Sequence, residues 1–320
     1  MDTGAFNVQA SDKKLLSDWQ PHYKDLFGKY TIKLQHRLKD SGLFSEEVLG
    51  ELIETYPRAL YNLNTAGAEK GKLNWREGYL ADTSGKDLIK AIKNGHLWLN
   101  LRRVMDVDKR YADLLQQIFD EFEDKVPGLH TFKQNMGILI SSPNMTVPYH
   151  CDIPGQALWQ IEGRKKVYIY PNRAPFLPHE TLEGIILGET EEELSYHEWY
   201  DDHAEIHVLS PGEMALWDLN APHRVVNEDC LNISVTTEHY TSDIRKSYAV
   251  NYANGVLRRR FGLSPATNSI GGLMPYPKAA LTLLWKKLGL NKKHEVVKMV
   301  SFKPDPKADI GYVDVEPFVR

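Results

Sequence analysis

The chain reads as a mainly β core with α additions: an antiparallel barrel or jelly roll flanked by N-terminal and C-terminal helices. Three observations carry that expectation. Between residues 96 and 240, short segments alternate apolar and polar side chains, the two-residue period of a half-buried strand. Pro-Gly and Asn-rich turns separate these segments, as in antiparallel barrels. On either side, apolar residues recur at helical intervals. The expected regions are 1–95, a helical region packed on the core; 96–240, the jelly-roll core; and 241–320, a helical extension and tail.

Residues 11–30 and 34–56 carry helix-like spacing, with Leu15, Leu16 and Trp19, then Leu34, Leu38, Leu43, Val48, Leu49, Leu52 and Ile53 on apolar faces. Ser45 before Glu46 and Glu47 marks a helix start, since a hydroxyl caps free amides and acids suit the positive end. Tyr56-Pro57 ends it. Residues 61–85, rich in Gly, Asn and Thr, read as irregular. Helices follow at 86–94 and 108–125, the second with Tyr111, Leu114, Leu115, Ile118, Phe119 and Phe122 at helical intervals. Strands are expected at 96–102, 136–140, 157–161, 166–170, 206–209, 213–217 and 231–236. After Tyr240 the pattern returns to helix around 243–260 and 276–289, and the tail from Ser301 reads as extended.

At 320 residues, one core with helical additions is more economical than two independent domains. A net charge of −4 gives no global pull toward nucleic acid or an anionic membrane. No run approaches the roughly 18 apolar residues of a spanning helix. The opening Met-Asp-Thr-Gly-Ala-Phe-Asn lacks the features of a signal peptide. A cytoplasmic protein is expected. Cys151 and Cys230 are too few for a disulfide framework and read as small packed residues in a reducing compartment.

The densest chemical signal is His150, Cys151 and Asp152, with His223 downstream at the end of a strand-like run. Residues i and i+2 of a strand share a face, about 6–7 Å apart, so His150 and Asp152 can grip one ion while Cys151 turns away. Two imidazoles and one carboxylate form the facial set that holds non-haem Fe(II) and leaves coordination positions open. A second grouping, His203, Glu205 and His207, competes. Residues 189–205 carry eight acidic side chains and no Lys or Arg, however, which suggests a solvated loop inserted between strands.

From His150 the chain continues through Gln160, Ile161, Gly163, Lys165, Tyr168 and Pro171. In this pattern the segment resembles the jumonji-C and cupin-like branch of the Fe(II)/2-oxoglutarate oxygenases. Its spacing is similar to that of the asparagine hydroxylases acting on hypoxia-inducible factor. The resemblance covers about residues 96–240 and implies a double-stranded β-helix, the jelly roll of the cupins. It implies metal ligation by His150, Asp152 and His223, and a salt bridge from Lys165 to the far carboxylate of 2-oxoglutarate. Parity agrees: Lys165, Val167 and Ile169 share one strand face, and Lys166 lies on the other. Further cofactor-binding candidates are Gln156, where the resembling hydroxylases have an asparagine, Asn232 and Ser234, which alternate with Thr236 on one face of a late strand suited to hydrogen-bonding the cosubstrate, and Asn100 on the first strand. Thr146 stands one residue further from the metal motif than the threonine of the family.

The expected function is therefore a dioxygenase using Fe(II), 2-oxoglutarate and O2 to hydroxylate an aliphatic C–H. A small metabolite or sugar is the preferred substrate. The alternatives are a metal-binding cupin isomerase or lyase without 2-oxoglutarate, and a protein-side-chain hydroxylase. Neither nucleic acid nor membrane is expected as a partner. The C-terminal helices, with Leu257, Leu273, Leu281, Leu283, Leu284 and Trp285, must bury their apolar faces against the barrel or in a homodimer.

Overall fold

The computed structural model describes residues 14–69, 72–190, 192, 194–265, 267–290 and 299–319, the side chains of 66–74 excepted. The first half contains α1 (Tyr23–Leu26), β1 (Ile32–Gln35), α2 (Glu46–Glu54), β2 (Tyr61–Glu69), β3 (Lys72–Gly78), α3 (Gly85–Asn94), β4 (Trp98–Leu101), α4 (Val104–Val107), α5 (Lys109–Lys125) and β5 (Phe132–Ser141). Then come β6 (Thr146–His150), β7 (Gly155–Glu162), β8 (Lys165–Ile169), α6 (His179–Leu187), β9 (Glu205–Leu209), β10 (Glu213–Leu216), β11 (His223–Asn227) and β12 (Asn232–Tyr240). Helices α7 (Ser242–Phe261) and α8 (Pro275–Lys287) and strands β13 (Met299–Pro304) and β14 (Tyr312–Val319) complete the chain.

Two sheets share a core. The smaller has the order β6-β11-β8-β9, and the larger β1-β10-β7-β12-β5-β4-β2-β3-β13-β14. Leu158 and Ala215 from the large sheet pack with Val167, Ile169, Leu209 and Val225 from the small one, so the sheets enclose a common interior. The opposite face of the large sheet buries Trp159, Ile138, Ile140, Ile233 and Val235 against Leu49 of α2, Leu88 of α3 and Phe119 of α5. Each such aliphatic or aromatic side chain contributes about 1.5–3 kcal/mol by leaving water. A separate cluster joins Leu182 and Ile186 of α6 to Tyr252 and Val256 of α7.

The expected helices at 86–94, 108–125, 243–260 and 276–289 are α3, α5, α7 and α8. Ser45 caps α2, its hydroxyl accepting from the Val48 amide at 3.3 Å. Elsewhere local pattern misleads. Within 34–56 only α2 is a long helix, because Ile32 and Leu34 point into the core as alternate residues of β1, which pairs with β10. Of the expected helix at 11–30, residues 11–13 lie outside the described residues and only Tyr23–Leu26 is helical. Upstream, the Leu15 amide donates to Glu121 of α5 at 2.6 Å and Leu16 bridges to His36, so a distant carboxylate and a strand replace helical acceptors.

The supposedly irregular 61–85 is largely the hairpin β2–β3. Its propensity is weak, but β2 is held on its other edge by β4, with Leu63 fully buried opposite Leu99. Gly78 has a steric reason: a Cβ there would lie 2.4 Å from the Phe302 ring of β13. The tail is extended, as expected, and β13 pairs parallel to β3. His223 begins a strand, β11, rather than ending one.

Candidate metal centre

The cross-strand register brings the first and third ligand candidates together. His223 of β11 stands opposite His150 of β6, their ring centroids 4.1 Å apart. Asp152 lies just beyond β6, with its Oδ2 3.3 Å from His223 Nε2. One donor atom from each of the three lies within 4.8 Å of the others, and no other such group of three occurs among the described residues. A register shift between His223 and Val225 accompanies this arrangement: Val147 faces the barrel interior with Val225, and His150 also points inward.

Both rings are oriented by backbone carbonyls. His150 Nδ1 faces Pro148 O at 2.7 Å, and His223 Nδ1 faces Ala221 O at 3.1 Å. A carbonyl only accepts, so each Nδ1 carries a proton, and Nε2 is the ring atom turned to the cluster and left to a metal. Burial, reinforced by the neighbouring His150, pushes the His223 pKa well below its ordinary value and keeps that ring neutral. Burial lifts Asp152 to about 6, His150 opposes the rise, and Glu238 adds to it. Two imidazole nitrogens and a carboxylate short of positive charge form a donor set suited to a divalent cation.

Lys165 opens β8 and is 3 % exposed. Its register partners are Asn227 of β11 and Leu209 of β9. Burial lowers its pKa to about 7, with Cys230 pulling slightly the other way. No hydrogen bond or ion pair to its ammonium is found among the described residues. Lys166, by contrast, is exposed.

The remaining sequence candidates separate. The Gln156 side-chain amide lies against the Asp152 carboxylate, and a half-turn of the amide lets its nitrogen donate there. Asn232 and Ser234 face the interior but are engaged by Gln160, whose Nε2 donates to Asn232 Oδ1 at 2.8 Å and whose Oε1 accepts from Ser234 Oγ at 2.7 Å. Asn100 lies on the Leu139 side of β4, near Thr236. Thr146 is paired with Val226, on the face opposite His223 and Val225, so the structure does not bring it to the site. His203 lies in a short 3-10 turn, whereas Glu205 and His207 belong to β9, so the acidic insertion ends one residue earlier than expected. Residues 191 and 193 of that insertion lie outside the described residues.

Four features escaped the sequence reading. Asn220, at φ +61°, donates from Nδ2 to Asp152 O at 2.7 Å and to Ile153 O at 3.3 Å, tying the approach to His223 to the segment bearing Asp152. Arg224 lies over the Tyr168 ring at 3.6 Å and makes an ion pair with Asp201 of the insertion. The same insertion pairs with the His150 segment through Leu194 N to Tyr149 O at 2.9 Å and Cys151 N to Glu192 O at 3.3 Å. Glu238, which accepts from Asn135 Nδ2 at 2.9 Å, stands beside Gln156 in register. An asparagine three residues before a histidine was the available signal for the first. The other three depend on pairings across the fold.

No protein-family model and no curated protein matches the chain. Among solved structures, E. coli ycfD aligns with a TM-score of 0.51 at 13% identity, covering 91% of this chain and 75% of that one. A second structure, of YcfD described as an Escherichia coli ribosomal oxygenase in complex with cobalt and 2-oxoglutarate, aligns with a TM-score of 0.49 at 13% identity over the same shares. The likeness to ycfD at 13% identity establishes a common fold.

Proposed function

We propose that the protein is an Fe(II)- and 2-oxoglutarate-dependent oxygenase that hydroxylates an aliphatic C–H of a polar substrate. The observation that carries this reading is Lys165, a buried lysine with no carboxylate partner among the described residues. Such a group is costly unless an anion joins it. Lys165 lies four residues along β8 from Ile169, the register partner of His223, a separation of about 13 Å at strand rise. A five-carbon dicarboxylate reaching from the His150–Asp152–His223 cluster toward an extended lysine suits that separation. A cupin lyase or isomerase has no need of a buried lysine there.

With Fe(II) and 2-oxoglutarate bound, such a centre couples decarboxylation of the cosubstrate, to succinate and carbon dioxide, with insertion of an oxygen atom from O2 into a C–H bond. The protein's own part is positional. Gln156 and Asn220 fix the Asp152 segment, the two backbone carbonyls fix the imidazoles, and Leu158, Val167 and Val225 exclude water from the interior. The interleaved order of β5 to β12 across the two sheets supports the double-stranded β-helix reading.

Beside Asp152, Gln156 and Glu238, with Asn135 bonded to Glu238, favour a substrate bearing hydroxyl or amino groups, consistent with a small metabolite or sugar. The spacing shared with the hypoxia-inducible-factor asparagine hydroxylases and the fold shared with ycfD keep a protein side chain as the second reading. Succinate formation from 2-oxoglutarate by the purified protein with Fe(II) tests the assignment. Absence of both turnover and calorimetric 2-oxoglutarate binding overturns it.

A further inference from the structure

Helix α8 is packed inside out. The side it turns toward α7 carries Lys278 and Thr282, both buried: Lys278 Nζ donates to Thr267 O at 2.5 Å and Thr282 Oγ1 to Ala249 O at 2.8 Å. Only Trp285, beside Phe261 at a centroid distance of 6.1 Å, adds a large partly buried ring there. The side facing away is apolar, with Tyr276 68 % exposed, Leu283 71 % and Leu284 55 %, and Leu273 at 82 % just before the helix. Phe261 and Leu263, at the end of α7, and Leu288, after α8, are exposed as well. An apolar helix face exposed in this way marks a site of interaction.

Charge identifies the partner. From residue 244 to residue 294 the chain contains ten Lys and Arg and no Asp or Glu, although its net charge is −4. Arg258 and Arg259 are engaged by Glu183 of α6, and Lys246 by Asp243. Arg260 and Lys287 are exposed and make no ion pair among the described residues; Lys287 lies within the apolar stripe, between Leu284 and Leu288. A second copy seated symmetrically on this face would bring a second set of the same cations to it, with no acid between residues 244 and 294 to neutralise them. An exposed apolar helix face with cations beside it matches a negatively charged lipid interface.

We propose that α8, with the end of α7, docks the protein on an anionic lipid bilayer as a peripheral, non-spanning contact. The 13 residues of α8 extend about 20 Å, short of the roughly 30 Å hydrocarbon core, and no helix among the described residues is long and apolar enough to cross a membrane. The overall acidity of the chain conceals this site, because its acids lie elsewhere in the sequence.

Co-sedimentation of the full chain with vesicles tests the proposal. The probes are phosphatidylcholine alone and an equal mixture of phosphatidylcholine and phosphatidylglycerol. Binding to the mixed vesicles is expected to exceed that to neutral vesicles by about tenfold or more and to weaken with added salt. Leu283→Glu with Leu288→Glu, and separately Arg260→Glu with Lys287→Glu, should each remove most of this binding. All four side chains are exposed, so the thermal unfolding midpoint should stay unchanged. Equal recovery with and without phosphatidylglycerol overturns the proposal. So does a solution dimer that the leucine pair converts to a monomer, because the face then belongs to a second copy.

Discussion

His150 and His223 are cross-strand partners, the last residue of β6 facing the first of β11 with ring centroids 4.1 Å apart. The pair is therefore preformed by the sheet, and Asp152 needs only the short segment after β6 to join it. His150→Ala or Asp152→Ala should weaken Fe(II) binding by more than about 100-fold, beyond the 10–100-fold typical of outer contacts. Anaerobic calorimetric titration measures it. Wild-type affinity in both variants would exclude the cluster as the metal site.

Lys165→Ala should raise the 2-oxoglutarate requirement roughly 10–100-fold, the worth of a charge-assisted hydrogen bond, while sparing metal affinity. Lys166→Ala, altering an exposed neighbour, should do little. Burial lowers the Lys165 pKa to about 7. Above that pH the free protein holds a neutral amine, and binding an anion requires proton uptake. Affinity for 2-oxoglutarate should therefore fall as pH rises from 7 to 9, and the Lys165→Ala variant should lose that dependence. A pH-independent wild type would separate Lys165 from the cosubstrate.

The legible parts of the molecule were those with local causes. Strand alternation revealed most of the core strands, and the i, i+3, i+4 spacing of Tyr111 to Phe122 revealed α5, because one element determines each pattern. Leu34 and Leu38 look helical in spacing yet belong to a strand and a following turn, since pairing with β10 overrides the local period. The β2–β3 hairpin lies between β4 and β13, so neighbouring strands supply what its composition lacks. At the site, the order of His150, Asp152, Lys165 and His223 was visible in the sequence. Gln160 capturing Asn232 and Ser234, and Arg224 holding Asp201, were not, because each joins segments tens of residues apart.

Asn220→Ala should reduce metal affinity about tenfold without unfolding the chain. Its amide spans the two ligand-bearing segments by bonding Asp152 O and Ile153 O, and such outer contacts typically carry 10–100-fold in affinity. Asn also tolerates the left-handed backbone at φ +61° better than alanine, so part of any effect is conformational. Asn220→Gly relieves that strain without restoring the amide. If the glycine variant recovers full affinity, the backbone shape and not the hydrogen bond is responsible.

Acid should destabilise the fold through His36. Its Nδ1 accepts from the Leu38 amide at 3.1 Å, so Nε2 carries the proton and donates to Gln160 O at 3.1 Å. Both ring nitrogens are committed in the neutral form, and a second proton would set Nδ1–H against the Leu38 N–H. Burial accordingly lowers the His36 pKa from 6.5 to about 4, against weaker raising by Gln160 and Glu213. His239, also buried, falls to about 4. Between these values the unfolded chain binds protons that the folded one refuses, so the stabilisation is complete above pH 6.5 and disappears as pH falls toward 4. The linkage is worth about 3 kcal/mol per histidine as an order of magnitude. Urea unfolding across this range should show stability falling with acidity, and His36→Gln should remove about half of the histidine-dependent slope. An unchanged slope in that variant would mean that His36 is not excluded from protonation in the folded state.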